Sequence, residues 1–270
     1  MTTRLDYDAL HSFATTYVVD PYYRRQQATL LGLTLTKSGG LLKRKNPYLF
    51  RAKNIQTSGE FVKYALDAFL SSSEETMFGN FLERLAIHIC GEVYGGYKAP
   101  SKVMPSVDLI FTREDNCYVV GIKSGPNWGN ADQLRAMARN FKATKALLVE
   151  QGVQLPIAGV NGCMYGIDEL PWKSNLEDPE LSYYKFCGQR FWAFISGDAD
   201  LYLRLIQPLG VESKQRSTEF FKLYNAKINE LTAEFSAHFL SQDNQIDWDK
   251  LIRFVSASQA TGESSKIGHS

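Results

Sequence analysis

Apolar positions recur at helical spacing over much of the chain. Residues 1 to about 36 carry this pattern, and the Ser-Gly-Gly sequence at 38–40 ends it. A further helix is predicted over 59–69. The Ser-Ser-Ser-Glu-Glu sequence at 71–75 offers a fresh helix start, and the apolar spacing predicts another helix from 76 to about 89. The pattern therefore indicates a chain that opens with several helices.

The period changes to that of β-strands after Gly95. Segments 107–111 and 117–123 are rich in β-branched and aromatic residues, and turn-forming residues separate them, which predicts a β-hairpin. Later patterns predict a helix over 131–145, a strand over 155–165, and helices over 188–195 and 219–240. This order predicts an α/β fold with a small mixed β-sheet flanked by helices and extra helices at both termini. We expect one domain over 1–260 and a polar tail at 261–270.

The composition is that of an ordinary globular protein. The chain has 270 residues, of which 44% are hydrophobic and 22% charged. No apolar run approaches the roughly 20 residues of a membrane-spanning helix, and the N-terminus lacks the features of a signal peptide. We therefore expect a cytoplasmic protein with no membrane partner. The cysteines are far apart and are expected to be buried thiols: Cys90, Cys117, Cys163 and Cys187.

The net charge gives the protein no overall electrostatic attraction for a polyanion, because 30 Lys and Arg residues are balanced by 29 Asp and Glu residues. Cations are instead concentrated between Lys43 and Lys53, where they alternate with aromatic residues. A solvated loop with a turn at Asn46-Pro47 is one interpretation, and a surface that meets phosphates is the other. The candidate cations are Lys43, Arg44, Lys45, Arg51 and Lys53.

The hairpin brings an acidic and a basic residue together. If Thr112 lies opposite Cys117, Asp108 lies opposite Gly121, and Lys123 is diagonal to Asp108 at a Cα separation of about 7–8 Å. Because Gly121 has no side chain, we expect room there for a metal ion and a phosphate oxygen. A simple cross-strand ion pair is the alternative.

The segment after Lys123 is rich in glycine, proline, asparagine and tryptophan. A strand that ends before such a turn and a following helix often presents backbone and amide groups to phosphate. The candidate phosphate contacts in this segment are Ser124, Asn127 and Asn130.

The order of Asp108, a turn and a strand ending in Lys123 resembles the catalytic core of the PD-(D/E)XK nuclease superfamily, which includes most type II restriction endonucleases. Three longer strings, at 46–53, 71–79 and 122–130, look like one type II group within it, and the resemblance covers roughly 40–165. It implies a restriction-endonuclease-like fold with a catalytic core at about 74–165. It also implies Mg²⁺-dependent cleavage of double-stranded DNA at a short palindromic or nearly palindromic site, as part of a restriction-modification defence system.

The resemblance further implies partners and residue roles. A homodimer and a functionally linked DNA methyltransferase are expected, and the apolar stripe at 219–240 is a candidate subunit interface, although packing on its own core explains the same stripe. Asp108 is then a metal ligand, the Ile122 carbonyl a possible further ligand, and Lys123 the residue that positions or deprotonates the water and stabilises charge. The phosphate contacts proposed above become DNA contacts.

Two departures from the family pattern affect this interpretation. Pro105 is displaced by two positions from the expected Pro-Asp pair, and Gly121 stands where an acidic residue is expected. Either the protein is a catalytically inactive DNA-binding protein with the nuclease fold, or another carboxylate completes the site. The available carboxylates are Glu83, Glu92, Glu114, Asp115 and Asp132.

We predict that Glu83 is the second catalytic carboxylate and metal ligand. It borders the apolar face of the helix before the Asp108 strand, and the family places an acidic residue on that helix. The alternative is an ion pair with Arg84 or Lys98.

Overall fold

The computed structural model describes residues 4–210 and 213–257, with the side chains of 213–215 left out. These residues form two compact units. The sheet unit comprises the chain up to Arg24 and Glu75–Ser213, and the helical unit comprises Arg25–Glu74 and the chain from Lys214 onward. That both units act as the one domain expected over 1–260 stays a prediction, and the expected tail at 261–270 lies outside the described residues.

Helices dominate both units. The α-helices in chain order are α1 (Tyr7–Ala14), α2 (Asp20–Gly32), α3 (Pro47–Ala52), α4 (Ser58–Tyr94), α5 (Ala131–Glu150), α6 (Gln189–Ser196), α7 (Leu201–Arg204), α8 (Ile206–Gly210), α9 (Ser213–Phe239) and α10 (Trp248–Ser256). A π-helical turn at Thr15–Val19 joins α1 to α2, and short 3₁₀ helices lie at Leu41–Arg44 and Pro179–Leu181. The predicted helices at both ends of the chain, and those of the central region, are confirmed.

Two local predictions are wrong. Helix α4 is continuous, so no new helix starts at 71–75: the Ser72 hydroxyl donates to the Ala68 carbonyl within the same helix, at 3.0 Å, instead of capping a new one. The expected turn at Asn46-Pro47 is a helix start, because the Asn46 side chain accepts a hydrogen bond from the Tyr48 amide and Pro47 occupies the first turn of α3.

The sheet unit contains a mixed six-stranded sheet. Its strands are β1 (Tyr97–Lys98), β2 (Leu109–Arg113), β3 (Asn116–Lys123), β4 (Ile157–Cys163), β5 (Trp172–Lys173) and β6 (Tyr183–Cys187). The spatial order is β1-β2-β3-β4-β6-β5, with β3, β4 and β6 parallel and the remaining neighbours antiparallel. The predicted small mixed sheet is thus confirmed, although the pattern gave no sign of β1, β5 and β6.

The β2–β3 hairpin has the predicted register. Thr112 pairs with Cys117, and Leu109 pairs with Val120. The turn residues Glu114 and Asp115 have φ values of 50° and 60°, the backbone of a type I′ turn, which matches the twist of the strands that it joins. This register fixes where Asp108 and Lys123 emerge from the sheet.

The sheet lies between two apolar layers. On one face, Val120 and Ile122 pack in a core with the part of α4 that belongs to the sheet unit. On the other face, Val119 packs in a second core with Met137 and Phe141 of α5. Because β3 is buried on both faces, it reads as a nearly continuous apolar run, as expected for a central strand with parallel pairing.

The helical unit has a core of its own. The predicted stripe of α9 packs in this core, which supports its role in the folding of this unit; its residues are Phe220, Leu223, Tyr224, Ile228, Leu231 and Phe235. All four cysteines are buried and reduced, as predicted. Within residues 4–210 and 213–257, no helix is both long and apolar enough to cross a membrane.

Candidate active site

Asp108 and Lys123 converge at the end of the hairpin, as the register predicts. Lys123 Nζ lies 3.7 Å from Asp108 Oδ2, and the two side chains are 25% and 22% exposed. The Ile122 amide donates a hydrogen bond to Asp108 Oδ2 at 2.7 Å, and Lys123 Nζ donates to the Ile122 carbonyl at 3.0 Å. Both charges are therefore held by the backbone of one residue, Ile122, through its amide and its carbonyl, unlike a mobile surface ion pair.

Gly121 does not leave the space that was expected. A Cβ atom at this position would lie 2.5 Å from the Ser106 carbonyl oxygen and 3.3 Å from the Phe141 ring. The Ser106 backbone has a φ of 63°, which brings this carbonyl against β3. The expectation of room for a metal ion and a phosphate oxygen is wrong, because backbone and an aromatic ring fill that space.

Glu83 projects from α4 as a half-buried carboxylate. Its side chain is 23% exposed, and Lys98 Nζ lies 3.3 Å from Oε1, which is one of the ion pairs considered from the sequence. Burial raises the pKa of Glu83, the negative charge of Asp108 raises it further, and Lys98 and Lys123 oppose these effects. Glu83 is therefore within electrostatic reach of both Asp108 and Lys123.

The other carboxylates considered from the sequence lie in exposed positions. Asp132 forms an ion pair with Arg135 one turn along α5, and Glu114 pairs with its neighbour in the hairpin turn at 2.9 Å. Glu92 and Asp115 are exposed. Glu83 is thus the one of the five that combines partial burial with electrostatic coupling to Asp108.

The donor set at this site is small and consists of oxygen atoms. Among the described residues, no group of three or more His, Cys, Asp or Glu side chains is arranged to hold a metal ion. The atoms that can hold one here are the Asp108 and Glu83 carboxylates and the Ile122 carbonyl. Mg²⁺ accepts such a set, because it usually takes one or two carboxylates and completes its six ligands with water and substrate oxygens.

The loop after Lys123 leads into α5. Asn130 caps this helix: its Oδ1 accepts from the Gln133 amide while the Gln133 side chain accepts from the Asn130 amide, so that any DNA contact by Asn130 would fall to Nδ2. Asn127 and Ser124 are exposed. Trp128 packs against the core on the α5 side of the sheet, and its ring lies 5.2 Å from Lys123 Nζ.

A cleft of about 430 Å³ opens beside the end of β3. It is lined by Glu75, Thr76, Phe78, Gly79, Leu82, Ser124, Met164 and Tyr165. Sequence analysis missed it because its walls come from α4 and from the ends of two strands, which only folding brings together. Ser124 is the one candidate contact that lies on its lining.

The basic segment belongs to the helical unit, and its charged groups contact other residues of that unit. Lys45 Nζ donates to the Ala68 carbonyl at 2.6 Å. The other candidate cations lie over aromatic rings: Lys43 over Phe254 at 5.4 Å, Arg44 over Phe69 at 5.3 Å, Arg51 over Trp248 at 5.4 Å and Lys53 over Tyr64 at 5.3 Å. Lys43, Arg44, Arg51 and Lys53 nevertheless stay exposed, and Lys45 is partly buried.

Comparison with known proteins places the chain in a family. The family model described as "Type II restriction endonuclease EcoO109I" matches residues 10–217, well over half of the chain. A search of curated proteins gave no match. The matched span includes the hairpin, the Asp108–Lys123 pair, Glu83 and the whole sheet.

Proposed function

Since the chain belongs to the type II restriction endonuclease EcoO109I family, we propose that it cleaves double-stranded DNA with Mg²⁺ held by Asp108 and Glu83. Membership makes the protein a site-specific, DNA-hydrolysing enzyme with a restriction-endonuclease-like fold. The proposal adds a short palindromic or nearly palindromic target, a homodimer, and a restriction-modification system that includes a cognate DNA methyltransferase.

One observation carries the proposed mechanism: two half-buried carboxylates lie near one ammonium group. Asp108 and Glu83 are each less than one quarter exposed, and the charge of Asp108 raises the pKa of Glu83. Partly buried like charges repel each other unless a cation compensates them. Lys98, the direct partner of Glu83, is 60% exposed and is therefore screened by solvent.

This charge arrangement fits a divalent cation. Asp108 and Glu83 would be its protein carboxylates and the Ile122 carbonyl a further oxygen ligand, which is a hard-oxygen set suited to Mg²⁺. Bound Mg²⁺ supplies charge neutralisation at the phosphate and a more acidic water.

Lys123 acts on the reacting phosphate in this proposal. Its ammonium is held between Asp108 and the Ile122 carbonyl, so it is presented with a fixed orientation. From there it can donate to a phosphate oxygen as negative charge develops and can position the attacking water. Fixing these groups before DNA arrives removes part of the cost of orienting them during the reaction.

The DNA contacts of the proposal come from two segments. Ser124, Asn127 and Asn130 follow the catalytic strand and would meet the sugar-phosphate backbone near the scissile bond. The cations Lys43, Arg44, Lys45, Arg51 and Lys53 would meet further phosphates, because a chain of net charge +1 needs local cation density to hold DNA.

Plasmid cleavage tests the proposed activity. Purified protein is incubated with plasmid DNA in Mg²⁺, in Ca²⁺ and with a chelator, and the products are separated by gel electrophoresis. We expect discrete fragments in Mg²⁺ alone. Intact DNA that is merely retarded under all three conditions would favour the inactive DNA-binding protein that the glycine at 121 suggests.

Glu83→Gln tests the second metal ligand. The variant keeps the shape of the side chain but loses its charge, so we expect Mn²⁺ binding measured by titration calorimetry to weaken by at least about 10- to 100-fold, the loss usual for a residue that merely supports a ligand, and cleavage to be lost. Glu92→Gln, an exposed change on the same helix, is the matched control. Anomalous density for Mn²⁺ bound by Asp108 together with Asp132 or Glu92 would contradict the assignment of Glu83.

A further inference from the structure

A partly buried charge cluster lies beside the loop that follows the catalytic strand. Asp168 Oδ2 lies 3.2 Å from Lys185 Nζ, and Asp168 Oδ1 lies 2.8 Å from Lys173 Nζ. The Asp168 and Lys185 side chains are 13% and 16% exposed. Burial pushes the pKa of Asp168 upward, but hydrogen bonds from both lysines outweigh it and leave the pKa lowered. The cluster is therefore charged and held in place at neutral pH.

Lys185 also reaches out of this cluster to the loop. Its Nζ donates to the Pro126 carbonyl at 3.0 Å. Lys173 contacts the same carboxylate, but its hydrogen bond goes to Asp168 and not to Pro126. The two lysines thus differ in one respect that matters here: Lys185 connects the cluster to the loop.

Pro126 stands where the regular pairing of β3 has ended. The last backbone contacts between the ends of β3 and β4 run from the Met164 amide to the Lys123 carbonyl and from the Tyr165 amide to the Ser124 carbonyl. Proline has no amide hydrogen to continue this pairing, so its carbonyl is the one backbone hydrogen-bonding group that Pro126 offers. A charged donor to a carbonyl makes a stronger bond than a neutral one.

Gly166 packs closely against the ring of the same proline. A Cβ atom built on Gly166 would lie 2.7 Å from Pro126 Cγ and Cδ, and the φ of Gly166 is 91°. A residue with a side chain would meet both a steric and a conformational obstacle there. Two residues beyond Pro126, the Trp128 ring lies 5.2 Å from the Lys123 ammonium. The loop is therefore in contact with the catalytic lysine as well as covalently attached to it.

We propose that Lys185 is a positioning residue for DNA cleavage, which fixes loop 124–130 through the Pro126 carbonyl and thereby orients Lys123 and Trp128. This inference rests on the proposed role of Lys123. It assigns Lys185 no contact with DNA: its ammonium is directed at Asp168 and Pro126, and its side chain is largely buried.

The test compares Lys185→Met with Lys173→Met in the full-length protein. Each variant removes one ammonium group and leaves Asp168 one lysine partner, so the two are matched in charge and in the compensation of the buried carboxylate. Three quantities are measured: the single-turnover cleavage rate in Mg²⁺, the DNA affinity in Ca²⁺, and the hydrogen exchange of peptides covering 124–130 by mass spectrometry.

For Lys185→Met we expect cleavage to slow by about 10- to 100-fold, because small displacements of a catalytic group have effects of this size. DNA affinity should fall far less than the rate, by no more than a few-fold, because only the contacts from loop 124–130 are loosened while the cations of the basic segment are unchanged, and exchange in 124–130 should become faster. Lys173→Met should leave all three quantities nearly unchanged, and Lys185→Arg, which keeps a cationic donor, should recover most of the rate.

Several results would overturn the proposal. These are equal losses of rate in the two methionine variants, unchanged exchange in 124–130 for Lys185→Met, or an affinity that falls in parallel with the rate, which would assign the loss to DNA binding and not to the orientation of Lys123. If Lys185→Met does not fold, Gly166→Ala presses on the same proline and should give the same combination of effects. If the wild-type protein itself cleaves no DNA, the proposed function fails, and the exchange measurement still decides whether Lys185 fixes the loop.

Discussion

Lys123 is the residue whose removal we expect to abolish cleavage while leaving DNA binding nearly intact. In Lys123→Ala, we expect cleavage to fall on the order of 10³-fold, because the variant lacks a preorganised donor to the reacting phosphate. DNA affinity should change little, since this ammonium would meet one phosphate among many. Lys222→Ala, at an exposed position of α9, is the control. Substantial cutting by purified Lys123→Ala in Mg²⁺ would remove the lysine from the mechanism.

Gly121 is fixed by packing, so that restoring the acidic residue of the family pattern should fail. Because a Cβ would lie 2.5 Å from the Ser106 carbonyl, Gly121→Ala should lower the free energy of unfolding by about 1–3 kcal/mol. Gly121→Asp should be at least as destabilising and should not raise the cleavage rate.

Gly59→Ala is the matched control for these changes. A Cβ there meets nothing within 4 Å on a helix, so the free energy of unfolding should stay equal or rise by up to about 1 kcal/mol. Chemical denaturation measures all three variants. A Gly121→Asp protein that is as stable as the wild type and cuts faster would show that the space is available.

The residues of the candidate site differ in how far sequence could predict them. Asp108 and Lys123 follow from the hairpin, because turn residues fix the register and the register fixes which side chains meet. The lack of free space at Gly121 could not be predicted. It is filled by the Ser106 carbonyl, and Ser106 lies outside the paired residues of the hairpin. Lys185 could not be predicted either, because it is distant in sequence from Pro126 and no local pattern marks it.

At the scale of elements, long periodic segments were predictable and short ones were not. Helix α5 and the hairpin follow from their period and turn chemistry. Strands β1 and β5 have two residues each, too few to show a period, and their pairing comes from neighbouring strands. The serines at 71–73 suggested a helix start, but tertiary packing along α4 outweighs such local preferences.

The basic segment from the 3₁₀ helix Leu41–Arg44 through α3 is the element whose role can be measured by salt dependence. Changing Lys43, Arg44 and Lys45 together to glutamine should weaken DNA binding and reduce the slope of log affinity against log salt by about 0.9 for each phosphate that is no longer neutralised. An equally steep slope in the triple variant would assign the segment to a surface that does not touch DNA. Lys45→Met alone controls for the removal of its bond to the Ala68 carbonyl.

For the molecule as a whole, the sequence predicted the fold class but not the division of the chain. The mixed sheet with helices on both faces follows from the order of helical and strand periods. The division into a sheet unit and a helical unit does not, because each unit combines segments from distant parts of the chain, and helices such as α2 and α4 contribute residues to both. The periodicity of apolar residues indicates local secondary structure, but it does not show which segments pack together.

A homodimer is the prediction that belongs to the whole molecule. One copy of the Asp108–Lys123 pair acts on one phosphodiester bond, whereas a double-strand cut requires two, and a two-fold protein matches a two-fold DNA site. Light scattering in Ca²⁺ with a DNA duplex that contains the target site should therefore give a protein mass near twice the 30.5 kDa of one chain, once the mass of the duplex is subtracted. The stripe of α9 packs in the core of its own unit, so we expect the dimer contacts to come from surfaces other than this stripe. A mass near that of one chain, both free and on DNA, would contradict the dimer and require two successive binding events for each double-strand break.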